Sequence, residues 1–335
     1  MRNAPLQTLE AVDPAGKIVA VVVTLNRLGQ IRRTIAALLA SPINQIVVVD
    51  NGSDDGTRDW LLALDEPRIT VEFASSNLGG AGGFARGIET AQSQFDPDWM
   101  LLMDDDARPA DGAIEAFRQL DLSGWDAIAS AVYYPSGAIC EMNRPSRNPF
   151  WSFGAFKDAI VKGRKGFHVA DSAFKPGQIT EIDVGSFVGY FVSRDAVRRT
   201  GLPDKRLFIY GDDVLYSLAI RRAGARIGFA SDVAFEHDCG TRATHDGKRV
   251  QPLWKAYYLI RNKIIVYRKV AGPFFWLLLP GLLAGWHLKA RNYGVDAESY
   301  RRLRNAALRD GLSGDFSRAH DDVIRLSKTA DAPQA

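Results

Sequence analysis

The sequence predicts an α/β protein: an open, mostly parallel sheet flanked by helices, with a helical extension at the C-terminal end. Three observations carry this. Continuous β-branched runs without alternation, such as Ile18-Val-Ala-Val-Val-Val-Thr24, suit parallel strands covered on both faces. Each run gives way to a polar turn and then to helical periodicity, an alternation that means right-handed βαβ units. The strongly polar residues cluster where the runs end, which is where open α/β sheets bind ligands.

In order, residues 18–24 form the first strand, and Ile31, Ile35, Leu38 and Leu39 mark one side of a helix. Gln45-Ile-Val-Val-Val-Asp50 is the second strand, broken sharply by Asn51-Gly52. Residues 70–73 make a short third strand, 80–91 a helix, and 99–103 a fourth strand that runs into three aspartates. A helix is expected from Pro109. Residues 134–179, with Pro135, Pro145, Pro149, Gly163, Gly166 and Pro176, read as a long functional loop. Regularity returns at 183–193, then a helix from Arg194, a helix over 212–223, short strands at 226–229 and 233–235, and a helix over 251–270. No internal repeat is present.

Apolar residues make up 46% and charged residues 24% of the 335, which excludes disordered, collagen-like and coiled-coil classes. The two cysteines, Cys140 and Cys239, stand far apart and in no metal-ligand spacing, as expected of free thiols in a reducing compartment. Residues 1–16 lack the basic-then-apolar layout of a signal peptide, so a cytoplasmic location is expected. The net charge of +3 is unevenly placed: residues 241–335 hold 17 Lys and Arg against 8 Asp and Glu. Within 242–291 there are ten basic residues and one acid, Asp246, around an apolar run at 271–286 that contains Pro280. Sixteen residues fall short of the ~20 that a spanning helix needs. Aromatic and apolar residues between basic flanks suit a segment lying in a membrane interface. A buried helical hairpin or an oligomer contact is the alternative.

The strongest chemical signal is Leu101-Leu-Met-Asp-Asp-Asp-Ala107. Three unpaired carboxylates cannot be buried within a strand, so they emerge at its end onto water or a cation. Asp104 and Asp106, one residue apart, project to one side and can grip Mn²⁺ or Mg²⁺ with substrate phosphates. A helix N-terminus decorated with acids accounts for one of them, not for three. Asp50, closing the second strand, suits hydrogen bonds from a base or ribose, while Asn51 to Thr57 read mostly as turn and cap. Asn77-Leu-Gly-Gly80-Ala-Gly-Gly-Phe-Ala-Arg86 opens a helix with glycines that let a phosphate or a second backbone approach. No Gly-Lys-Ser/Thr follows, so an ATPase is excluded. Arg86 is read equally as a diphosphate partner or as a helix-surface arginine. In Gly211-Asp212-Asp213, a second acid pair at a helix start offers a general base; helix capping explains Asp212 more readily than Asp213. His237, with His245 as competitor, is a sensible third ligand for an aspartate-bound cation.

Together, Val-Val-Thr24-Leu-Asn-Arg27, Val-Val-Asp50-Asn-Gly-Ser, Asn77-Leu-Gly-Gly, Asp104 to Asp106, Gly-Asp-Asp213 and His237 resemble the inverting family 2 glycosyltransferases across residues 17–240. Thr-Leu-Asn-Arg27, Asn77-Leu-Gly-Gly-Ala-Gly-Gly-Phe, Met-Asp-Asp-Asp106, Leu-Phe-Ile-Tyr-Gly-Asp-Asp213 and Trp254…Tyr257-Tyr-Leu-Ile-Arg-Asn262 are most similar to galactofuranosyltransferases that build cell-wall galactan. The resemblance implies a GT-A, Rossmann-like fold, a UDP-sugar donor with UDP-galactofuranose favoured, and a divalent cation, Mn²⁺ or Mg²⁺. It also implies a glycan or polyprenyl-linked acceptor at the inner membrane face. By position, Thr24, Arg27, Asp50, Asn77, Gly80 and Asp105 face the donor, Asp104, Asp106 and His237 hold the metal, and Asp213 is the base. Where the polymerising members place a Trp after the metal histidine, this sequence reads Asp238-Cys-Gly-Thr.

The expected layout is a lead at 1–16, a catalytic part at 17–245 and a basic, apolar membrane-associating part at 246–335. A homo-oligomer is possible, and no nucleic-acid partner is expected. The rivals are a rhamnosyl- or other hexosyltransferase with the same core, a sugar nucleotidyltransferase and a non-catalytic glycan-binding protein. For the nucleotidyltransferase, Thr24-Leu-Asn-Arg-Leu-Gly is a poor version of the required loop. The glycan binder has no need of two separated acid pairs.

Overall fold

A computed structural model describes residues 15–239 and 249–328. The first half is β1 (Ile18–Thr24), α1 (Leu28–Ala40), β2 (Gln45–Asp50), α2 (Thr57–Leu62), β3 (Ile69–Phe73), α3 (Gly79–Phe95) and β4 (Trp99–Asp104). Its four strands lie in the order β3-β2-β1-β4, all parallel. The chain steps outward from β1 to β2 and β3, then returns to the other side of β1 for β4. The topological switch point therefore falls between β1 and β4, at the carboxyl ends marked by Thr24 and Asp104.

The second half adds β5 (Ala107–Pro109), α4 (Ala113–Gln119), β6 (Ala127–Tyr133), α5 (Phe153–Lys162), β7 (Ile179–Ile182), β8 (Tyr190–Ser193), α6 (Arg194–Thr200), α7 (Asp212–Arg222) and β9 (Ile227–His237). β8 runs antiparallel between β4 and β6, β9 lies parallel beside β6, and β5 and β7 both pair antiparallel with β9. Six of the nine strands thus share one direction.

Every residue of β1 is buried. Ala20 and Val22 pack with Ile31, Ile35 and Leu38 of α1, while Val19, Val21 and Val23 pack under Phe84 and Ile88 of α3. Gly83 and Gly87 let α3 ride close: a Cβ on Gly87 would stand 2.3 Å from Val21 Cγ1, and one on Gly83 2.5 Å from Val23 Cγ1. A third core joins α8 (Lys255–Ala271), α9 (Phe275–Lys289), α10 (Ala297–Ser313) and α11 (His320–Ser327) through Tyr257, Ile260, Ile264, Tyr293, Tyr300 and Leu303. Gly272 (φ +54) and Gly294 (φ +52) take left-handed conformations at either end of α9 and separate it from its neighbours.

Three expectations change. Residues 134–179 hold a helix of nearly three turns, α5, started by Ser152, whose hydroxyl accepts from the Ala155 amide. The two short strands at 226–229 and 233–235 are one strand, β9, with an irregularity where Ser130 faces Ala230 but Ala131 faces Ala234. Residues 127–133 form a central strand, β6, that the sequence reading passed over.

Candidate active site

The end of β4 and the turn into β5 place the three aspartates at the switch point. Asp105 turns inward, where the Thr24 hydroxyl donates to its Oδ2 at 2.7 Å and the Thr34 hydroxyl donates to its backbone carbonyl at 2.6 Å. Burial raises its carboxyl to about 7 despite the nearby Arg27 charge. Asp104 and Asp106 face the cleft. Burial, then the neighbouring Asp106 charge, raises Asp104 well above the ordinary carboxylate range. Burial acts the same way on Asp106, but His237 and Arg27 outweigh it and hold that carboxyl low.

β5 pairs antiparallel with the end of β9, with Ala107 opposite His237. This brings His237 Nε2 to 3.1 Å from Asp106 Oδ1. Its Nδ1 lies 2.8 Å from Asn143 Oδ1. Asn143 Nδ2 donates to Ser186 Oγ at 2.9 Å, so its Oδ1 is the acceptor toward His237. Nδ1 therefore carries a proton, and Nε2 is aimed at the acids, as metal-ligating histidines are oriented. Burial alone would lower the imidazole pKa; the hydrogen bonds of Asp106 and Cys140 and the carboxylate charges raise it to about 10. One ligand atom each from Asp104, Asp106 and His237 lies within 4.8 Å of the others. Two carboxylates and an imidazole suit Mn²⁺ or Mg²⁺. Folding also brings Cys140 and Cys239 to His237 within the same limit, a grouping that their spacing gave no sign of. His245 lies outside the described residues.

Arg27 points at the acids: its Nη1 is 2.5 Å from Asp106 Oδ2 and 3.7 Å from Asp105 Oδ1. Asp50 splits its work. Oδ1 accepts from the Ser53 amide at 3.0 Å, while buried Oδ2 has no hydrogen-bond partner and the Arg58 guanidinium stands 3.7 Å off. Asn51 Oδ1 is likewise unpartnered. Asn77 Oδ1 accepts from the Gly79 amide at 2.8 Å, closing a turn. Gly79 (φ +70) packs on the Phe208 backbone, whereas Gly80 is open, with nothing within 4 Å of a Cβ built there. Arg86 forks onto Glu72 Oε2 at 3.0 and 2.8 Å and is structural. Thr24, Arg27, Asn51, Asn77, Gly80, Asp104, Asp105, Asp106 and His237 all border one cleft of about 460 Å³.

Asp213 borders a second cavity of about 400 Å³, which meets the first at Met142 and is also lined by Asn143 and Ser186. Burial raises Asp213 to about 6. Burial and the Asp213 charge raise Asp212 to about 7, and the Asp212 charge in turn reaches Asp104. The loop carrying this pair is strained: Phe208 and Tyr210 both have positive φ, 67 and 73. Asn262 of α8 latches it, its Nδ2 meeting the carbonyls of Leu207, Ile209 and Tyr210 at 2.8, 2.8 and 3.0 Å. Buried Arg261 adds bonds to the carbonyls of Arg206 and Leu207 at 3.0 and 2.9 Å. Neither Asn143 nor the latching role of Asn262 was found from the sequence, because both act across long separations.

This sheet, with an acid-lined cleft at its switch point, is that of a GT-A glycosyltransferase. A family model described as glycosyl transferase family 2 matches residues 19–178, and the chain belongs to that family. Galactofuranosyltransferase GlfT1 of Mycolicibacterium smegmatis is 31% identical over 310 residues, covering 88% of this chain and 97% of that one. Two solved structures share the fold. Mannosyltransferase PcManGT from Pyrobaculum calidifontis, in complex with GDP-Man and Mn²⁺, gives a TM-score of 0.51 at 18% identity over 92% of this chain and 89% of that one. GalNAc-T7 with UDP, GalNAc and Mn²⁺ gives 0.56 at 12% identity over 90% of this chain and 58% of that one. As a glycosyltransferase, the chain takes a nucleotide-sugar donor and a glycan acceptor.

Proposed function

We propose that this glycosyltransferase moves galactofuranose from UDP-galactofuranose, with inversion, onto a lipid-linked or polysaccharide acceptor at the inner membrane face. The observation that carries the metal-dependent reading is the convergence of Asp104, Asp106 and His237 at the switch point, beside a cavity that presents Asp213. Similarity to GlfT1 along nearly its whole length supports the donor sugar.

Asp104, Asp106 and His237 would hold Mn²⁺ or Mg²⁺, which neutralises charge on the departing diphosphate. Asp50 Oδ2 and Asn51 Oδ1, buried acceptors without donors, suit the N–H and hydroxyl groups of a nucleoside. Gly80 leaves room for close approach of the donor, and Arg27, already among the acids, adds positive charge beside the phosphates. Asp213 takes the acceptor proton as the hydroxyl attacks the anomeric carbon from the second cavity. In this reading residues 17–245 are the catalytic part and 246–335 the membrane-associating part, although α8 also braces the site.

The test is turnover across a panel of nucleotide sugars with Mn²⁺, for the intact chain and for Asp213→Asn. Metal-dependent transfer from one UDP-sugar, lost in the variant, establishes the class and names the donor. Silence across the panel removes the proposed donor and metal dependence; transfer from a different nucleotide sugar replaces galactofuranose with that sugar.

A further inference from the structure

Helix α5 buries none of its ten residues, yet it carries Phe153, Phe156, Ile160 and Val161. Phe153 is 83% exposed, Ile160 69% and Val161 71%. A helix of a soluble protein normally turns its apolar stripe inward. Helix α9 is similar: only Phe275 and Trp286 are buried, while Trp276 and Leu277 are 61% and 78% exposed. By length and composition the helical stretch Lys255–Ser313, which contains α9, could cross a membrane, but Gly272 and Gly294 take left-handed conformations on either side of α9 and break that stretch into shorter helices. The two helices share one face. Phe156 of α5 packs against Phe150 and Phe274 with ring centroids 5.7 and 5.8 Å apart, and Phe150 and Phe274 are 6.2 Å apart. Exposed apolar surface of this extent marks an interaction site.

Charge selects the partner. Arg164, just after α5, Lys263 of α8 and Lys289 of α9 crowd one another: burial, then the like charges of Lys289 and Arg164, lowers the Lys263 pKa. Among the described residues none of the three has an ion-pair partner, nor do Lys157 and Lys165, whereas Asp158 is paired with Lys162. A two-fold contact with a second copy would set like charges rim to rim. An anionic headgroup layer answers both features, taking the aromatic and aliphatic groups into its acyl boundary and the cations at its surface.

We infer that α5 and the start of α9 form one composite docking face for an anionic lipid bilayer. Phe150, Ala159 of α5 and Leu278 of α9 line the same cavity as Asn143 and Asp213, so the cavity is shared between this face and the acid pair. An acceptor held in the bilayer then meets Asp213 without leaving the surface. Only this last consequence rests on the transferase reading; the docking face stands apart from it.

The experiment is flotation of the full chain with phosphatidylcholine vesicles and with vesicles containing phosphatidylglycerol. Three variants accompany it: Phe153→Ser with Ile160→Ser, Trp276→Ser with Leu277→Ser, and Arg164→Gln with Lys289→Gln. The chain is expected to favour the anionic vesicles by about tenfold or more. Each apolar pair lowers binding by a similar factor, and the charge pair removes the preference. An α5 pair that floats like the parent overturns the inference, as does a parent that ignores both vesicles. A parent that sediments as a dimer, which these substitutions dissolve, gives the face to a second copy instead. Thermal melting and nucleotide-sugar hydrolysis on the same samples are expected to be unchanged, showing that the variants fold. A parent that binds vesicles but hydrolyses no nucleotide sugar leaves the docking face standing and removes the proposed donor and the role of Asp213 alone.

Discussion

His237 Nε2 stands 3.1 Å from Asp106 Oδ1, although 131 residues separate them. The short pairing of β5 with the end of β9 makes the contact, and Asn143 Oδ1 at the other ring nitrogen fixes which edge faces the acids. Loss of such an orienting partner typically weakens metal binding by about 10–100-fold. Asn143→Leu is therefore expected to weaken Mn²⁺ binding by about that factor, and His237→Ala by more, as read by isothermal titration. Unchanged Mn²⁺ affinity in both would remove His237 from the ligand set.

The pH profile should report Asp213. A general base works ionised, so kcat/KM is expected to fall on the acid side of about 6, roughly tenfold per unit. Asp213→Asn should lower transfer by about 10²–10⁴-fold with donor binding retained. A flat profile between pH 5 and 8 would count against this role.

The same burial has a stability signature. Folding raises Asp213 to about 6 and Asp212 to about 7 from 3.8, so the folded chain holds these protons more tightly than the unfolded one. That contribution is fully present below about 3.8 and is lost as pH rises through 6 to 7. At pH 8 without metal, Asp212→Asn is expected to stabilise by about 1–2 kcal/mol, or ~2–4 °C in Tm. At pH 4 the gain should vanish; equal melting shifts at both values would contradict the assignment.

The glycines of α3 divide into two kinds. Gly87→Ala places a methyl 2.3 Å from Val21 Cγ1 and is expected to cost about 1–3 kcal/mol. Gly80→Ala meets nothing and should leave stability unchanged or raise it by up to about 1 kcal/mol. Its effect is expected in the donor KM, since Gly80 borders the cleft. Chemical denaturation separates the two cases; a Gly80 variant with the parent's KM would return that residue to a purely structural role.

Asn262 meets three carbonyls of the loop before Asp212. Asn262→Ala is expected to destabilise by about 1–3 kcal/mol through the unmet carbonyls. It should also lower kcat by up to about 10²-fold by loosening the loop that carries Asp213, the proposed base, with Mn²⁺ affinity unchanged. A fall in stability without a fall in kcat would limit Asn262 to the fold.

Much of this was legible in the chain itself. The strands β1 and β2 fall at the residues the apolar runs marked, because a strand buried on both faces leaves an unbroken signature. The aspartates after Met103 marked the cleft because adjacent carboxylates sit at a strand end, facing water, a cation or a hydrogen-bond donor, rather than within the strand. Less was legible where the signal was weak or distant. Residues 134–179 read as loop because proline and glycine dominate them, and the apolar residues of α5 gave no inward face. β6, β8 and β9 pair with partners up to about 130 residues away, and nothing in their periodicity names those partners.

The sequence by itself determined the sheet of the first half, the acid clusters, the basic apolar tail and the family, since each is a local pattern of residue types. Only the tertiary structure decided that His237 meets Asp106, that Asn143 orients it, and that Thr24 holds Asp105. It also decided that Asp213 opens onto a different cavity from the aspartate-lined cleft, and that α5 joins α9 in one exposed face. The physical reason is that a side chain's chemistry is set by which strands and helices lie beside it, and strand order and helix docking follow from packing over the whole chain.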